Sequence, residues 1–126
     1  MEDDLQSIME KVVADSIWAP RDVSVDPDVR LIRWQVFNVS RGGKTTIHFV
    51  GRNTRMIEGR VSSDIMEYDS NTGIGISESG RRYELVKEQD GCDSDAMYVW
   101  GNWLHKMTER YPDLIVEDVT DHYVSV

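Results

Sequence analysis

Between Met66 and Leu85 the chain alternates apolar and polar residues, interrupted twice by turn-forming clusters. Met66 and Tyr68 precede Asp69-Ser70-Asn71-Thr72-Gly73; Ile74 and Ile76 precede Glu78-Ser79-Gly80; Tyr83 and Leu85 follow. Strand side chains point alternately to opposite faces, so this pattern predicts an antiparallel meander with one packed and one wet face. Upstream, Val29 to Val39 also reads with period two: Ile32, Trp34 and Val36 on one face, Leu31, Phe37 and Val39 on the other. Apolar residues on both faces predict a central, covered strand. Ser40-Arg41-Gly42-Gly43 supplies a turn, and Lys44 to Val50 the return strand. Gly51 to Arg55 is a polar connection, and Lys87 to Ser94 a polar, acidic loop.

Two segments have helical spacing. In residues 3–15, Leu5, Ile8, Met9 and Val12 form a stripe, Asp3 and Asp4 suit a helix start, and Pro20 limits its extension. Over residues 94–110, Met97, Trp100, Leu104, Met107 and Tyr111 share a face, with Ala96 and Trp103 at its edge. Asp93 or Ser94 can cap this helix by accepting a bond from a free backbone N–H, and Pro112 ends it. Residues 114–126 alternate loosely and predict a last strand. With 126 residues and no linker or repeat, the expectation is one α+β domain spanning 1–126. Its β-rich core at 29–86 would form a bent antiparallel meander or partly open small barrel of five to six strands. The helix near 94–110 packs on this sheet, with the N-terminal helix at an edge.

Charge divides the chain sharply. Residues 1–28 carry a net −6, residues 29–60 carry +6, and residues 61–126 carry −9, which gives −9 in all. The arrangement predicts opposed faces, or, more plainly, a basic hairpin paired with acidic neighbours inside the fold. Cys92 is the single cysteine, so neither an internal disulfide nor a cysteine-based zinc site can form. The acidic start lacks the features of a secretory leader, and no apolar run approaches the ~20 residues that span a bilayer. A cytoplasmic protein without membrane contact is expected, and the Asn38-Val39-Ser40 sequon carries no weight there.

Recognisable reaction chemistry is scarce. Gly43-Lys44-Thr45 has part of a phosphate-binding loop, but Asn38 stands where a glycine is needed, and Lys44 opens a strand pattern rather than a helix. The oxygen-rich loops at 69–73 and 90–95 lack the glycine and glutamate spacing of a calcium loop. His48, His105 and His122 are far apart and show no metal-ligand spacing. No nucleophile elbow occurs, and the Cys92 thiolate is disfavoured by Asp90 and Asp93. The reading is non-enzymatic, with no cofactor and no metal.

Two surfaces remain. Arg41, Lys44, Arg52, Arg55 and Arg60 cluster around one hairpin, near Trp34 and Phe49. Cationic grooves with stacking aromatics bind nucleic acid, but both rings occupy core-like positions, and the rest of the chain carries −15. The favoured surface is acidic: Asp90, Asp93 and Asp95 with Tyr98 and Trp103 on the following helix. Tyr and Trp give large contact area at small entropy cost, which suits a protein partner. A small cofactor-free enzyme is the remaining alternative.

The runs Gly59-Arg60-Val61-Ser62-Ser63, Ser79-Gly80-Arg81-x-Tyr83-x-Leu85 and Asp95-Ala96-x-Tyr98-Val99-Trp100-x-x-Trp103 give a pattern over residues 59–103. It resembles small uncharacterised bacterial proteins encoded in prophage and mobile-element regions. The resemblance brings no catalytic residue or cofactor. It implies an accessory-gene setting, in which small acidic proteins inhibit or modulate host defence proteins.

Overall fold

A computed structural model describes residues 27–56 and 58–124. The predicted helix at 3–15 lies outside these residues. The elements run β1 (Val29–Arg41), β2 (Lys44–Asn53), β3 (Glu58–Val61), β4 (Ile65–Asp69), β5 (Ile74–Ser77), β6 (Arg82–Leu85), α1 (Ser94–Arg110) and β7 (Ile115–Asp118). A short 3-10 turn at Thr120–His122 follows β7. The expected terminal strand is therefore four residues long, because Asp118 Oδ1 accepts from Thr120 N–H and Oγ1–H and folds the chain back.

The sheet is α+β in class but mixed in direction. Its order is β3-β2-β1-β6-β5-β4, with β7 beside β1, and it is not closed. The β4–β5–β6 meander is antiparallel, as its turns predict. The all-antiparallel expectation needs one correction: β6 joins β1 in parallel, through Val29–Tyr83, Arg30–Glu84 and Leu31–Leu85. All of β2 to β5 lies between the two strands, a long enough crossover for parallel pairing. Beyond β6 the same edge of β1 is taken over by the 86–91 loop and then by β7. Arg33 N–H donates to the Gln89 carbonyl, Gly91 N–H donates to the Trp34 carbonyl at 3.4 Å, and β7 pairs antiparallel with residues 37–40.

The β1–β2 hairpin turns on Gly42 and Gly43, at φ 57° and 77°. Positive φ at both central residues matches the right-handed twist of the flanking strands and suits glycine. Further along β1 the register slips between Ile32 and Gln35, and Arg33 has φ 48°. This bulge inverts the side-chain parity that the sequence suggests. Leu31 joins Val29, Trp34 and Val36 on one face, while Phe37 and Val39 remain on the other.

Two cores result, one on each face. The first gathers Val29, Leu31, Trp34, Val36, Phe49, Ile65, Tyr83, Leu85 and Val119 inside the curl of the sheet. There Phe49, Tyr68 and Tyr123 meet edge-on, and burial pushes both phenols above their usual range. The second packs Phe37, Val39, Val50 and Val61 against Ala96 and Trp100 of α1. Trp100 lies between Phe37 and Trp103, stacked at 4.8 and 5.1 Å. The curl is held where the β3–β4 link returns along β2. Phe49 N–H donates to Ser62 Oγ at 2.8 Å, and Ile47 N–H to Asp64 Oδ1 at 2.9 Å.

Candidate functional site

The start of α1 gathers charges from both surfaces that the sequence proposes. Asp93 is 3% exposed and caps the helix, its Oδ2 accepting Ala96 N–H at 3.0 Å. Its Oδ1 accepts from Arg52 Nε at 2.8 Å, and Arg52 Nη2 donates to Asp95 Oδ2 at 3.0 Å. Burial disfavours the Asp93 carboxylate, but the bonds from Arg52 and Ala96 outweigh it and hold the group below the usual carboxylate range. Arg52 is in turn raised by its bond to Asp93. One residue of the basic hairpin is thus bound to two residues of the acidic surface, 41 and 43 positions away.

The helix reaches this position because Gly59 admits it. A methyl group on Gly59 would lie 2.4 Å from Ala96 N and 2.5 Å from the Asp95 carbonyl carbon, so only a bare backbone fits beneath the first turn. Asp90 is exposed in the preceding loop and forms a parallel bridge with Trp34. Tyr98 is 72% exposed, with exposed Val99 beside it and Asp95 one turn back. Trp103 is half-buried: its ring is 4.7 Å from His48, and Arg41 lies over it at 5.8 Å. Of the five proposed contact residues, Asp90, Asp95 and Tyr98 reach the surface, Trp103 does so in part, and Asp93 does not.

The five cations do not share an open groove. Lys44 and Arg55 are exposed, whereas Arg52 is bound as described. Arg41 donates to Thr46 Oγ1 at 3.0 Å and covers the Trp103 and Tyr111 rings. Arg60 lies over the Tyr83 ring at 6.0 Å and 3.7 Å from Glu58. Trp34 and Phe49 are buried in the first core and offer no stacking face. The Trp34 Nε1–H donates to the Val86 carbonyl at 2.9 Å, which fixes the ring in place.

The histidines are separately accommodated. His48 is buried; Nδ1 donates to the Ser62 carbonyl at 2.8 Å, and Nε2 is 2.8 Å from Thr46 Oγ1. Both ring nitrogens are engaged within the fold, so neither faces a ligand. His105 is exposed and meets Glu109 at 2.8 Å along the helix. Cys92 is exposed. Among the described residues no group of three His, Cys, Asp or Glu is placed to hold a metal ion. Among them, too, no helix is long and apolar enough to cross a membrane.

The sequence predicts acidic partners for the basic hairpin but does not single out Asp93 as the partner of Arg52, and it does not mark Val99, Ile115 and Val116 as exposed apolar residues. Asp93 had a local signal as a helix cap, but nothing in the sequence marks its second partner. No protein-family model, curated protein or solved structure matches the chain.

Proposed function

We propose that this chain is a non-enzymatic protein-binding module that contacts its partner through the outer side of α1 and the loop before it. Tyr98 carries the reading. It is a large aromatic residue, 72% exposed on α1, with Val99 beside it and Asp95 and Asp90 supplying negative charge. An aromatic anchor inside a charged rim is the arrangement from which binding hot spots are built. A helix also presents such a group at little entropic cost, because its backbone is already fixed. The resemblance over residues 59–103 supports a setting for this activity, a phage or mobile-element accessory protein that modulates a host protein. Asp93 and Arg52 support the surface from beneath by fixing the first turn of the helix.

Tagged full-length protein and its variants, used to capture partners from a bacterial lysate, test the surface. Tyr98→Ala and the pair Asp90→Lys with Asp95→Lys should each abolish capture, while Asp93 is left intact so that the helix keeps its cap. Recovery equal to that of the parent protein in both variants rejects this surface.

A further inference from the structure

β7 presents a second unfilled feature. It pairs with β1 through Ser40–Ile115 to Phe37–Asp118, and among the described residues no strand pairs with its other edge. Bonded and non-bonded residue pairs alternate along an antiparallel ladder. Val119 N–H donates to the Val36 carbonyl at 2.9 Å, in the same register. Counting back by twos, the main-chain groups of Glu117 and Ile115 face β1, and those of Val116 and Asp118 face outward. All four residues are exposed, Ile115 by 66% and Val116 by 38%. Outward main-chain groups beside exposed β-branched side chains are what an added strand requires.

Charge selects among the occupants. From Tyr111 to Val124 the chain holds Asp113, Glu117, Asp118 and Asp121, with no lysine or arginine. Arg41, next to Ser40 on β1, is turned over the Tyr111 and Trp103 rings. The chain's own residues 1–26 carry seven acids against two bases, and a second copy paired through its own β7 would bring Glu117 and Asp118. Either would set like charges beside this edge, which is unfavourable across paired strands. A cationic strand is favoured on the same ground.

The geometry points to β7 as a docking edge for an extended segment of a partner protein in which apolar residues alternate with Arg or Lys. The segment adds a further strand beyond β7, its main chain bonded to Val116 and Asp118 and its cations near Glu117 and Asp121. This inference rests on the protein-binding reading but not on the Tyr98 surface, so the two fail separately.

Amide hydrogen exchange of the full-length protein, followed by NMR, tests it with a capped hexapeptide of alternating arginine and valine as the probe. In the free protein the Val116 and Asp118 amides should exchange rapidly and those of Ile115 and Glu117 slowly. Saturating probe should slow Val116 and Asp118 at least tenfold, with the same result in Tyr98→Ala. A peptide N-methylated at alternate residues should leave them unchanged. Val116→Pro removes an outward N–H and should weaken probe binding at least tenfold; Glu117→Lys should weaken it with the edge intact. Unchanged exchange at saturation overturns the docking edge, and equal protection by the N-methylated peptide overturns strand pairing. Val116 already protected in the free protein overturns it too: a concentration-dependent effect identifies a second copy, and a concentration-independent one the chain's own residues.

Discussion

Asp93 holds Arg52 and the first turn of α1 with one carboxylate, Oδ1 accepting from Arg52 Nε at 2.8 Å and Oδ2 from Ala96 N–H at 3.0 Å. Removing a helix cap costs about 0.5–2 kcal/mol, and the partly exposed Arg52 keeps access to water when its partner is lost. Asp93→Ala should therefore lower stability by about 1–2 kcal/mol in urea denaturation. Asp93→Asn keeps a capping oxygen and should lose about half as much. A loss below about 0.5 kcal/mol in the alanine variant would show that the pair does not support the helix.

The same carboxylate predicts an acid limb in the stability profile. Its folded pKa is depressed below the unfolded value of roughly 3.9. The folded state then binds fewer protons, so the contribution is complete above the unfolded pKa and declines as pH falls toward the folded one. Stability of the parent protein should fall between about pH 4 and lower values more steeply than that of Asp93→Asn. Parallel curves for the two proteins over that range would refute the assignment.

Gly59 should tolerate no side chain. The nearest atoms to an added methyl are backbone atoms of Asp95 and Ala96, which cannot turn aside as a flexible side chain can. Overpacking of this kind costs about 1–3 kcal/mol, and with a backbone contact Gly59→Ala should reach the upper part of that range. The midpoint of chemical unfolding measures it.

Arg33 occupies left-handed backbone at φ 48° inside the β1 bulge. Such a conformation is uncommon for residues with a Cβ and worse for β-branched ones. Arg33→Gly should leave stability within about 1 kcal/mol of the parent in either direction, the eased backbone offsetting the entropy of glycine. Arg33→Val should lose about 1–2 kcal/mol. Equal stabilities for the two variants would show that the bulge relaxes.

Two aromatic residues two positions apart on α1 should behave oppositely. Trp100 is buried between Phe37 and Trp103, so Trp100→Ala should lower stability by about 3–5 kcal/mol. Tyr98 is exposed, and Tyr98→Ala should change stability by less than about 0.5 kcal/mol. A thermal melt of each variant checks both values, and separates loss of partner capture from loss of fold.

The elements governed by local spacing were legible in the sequence. The meander, the Gly42-Gly43 hairpin and α1 follow from periods and turn residues that act over a few positions. What escaped is non-local. The bulge at Arg33 carries no glycine to announce it, so Leu31 reads on the wrong face. Parallel pairing of β1 with β6 depends on strands about 50 residues apart meeting, which periodicity does not encode. At the site, Tyr98 could be placed off the apolar stripe of α1. Joining Arg52 to Asp93 needed the β3–α1 contact at Gly59, a relation visible only in three dimensions.

Thirteen residues of β1 serve as the spine on which strands from the middle and the end of the chain are mounted in succession. Neither half of that edge is backed by an independent sheet. Separating β6 at one end bares the first core, and separating β7 and the following turn at the other exposes Val36 and Val119. The described domain should accordingly melt as a single cooperative unit, with no surviving fragment that contains β1 alone.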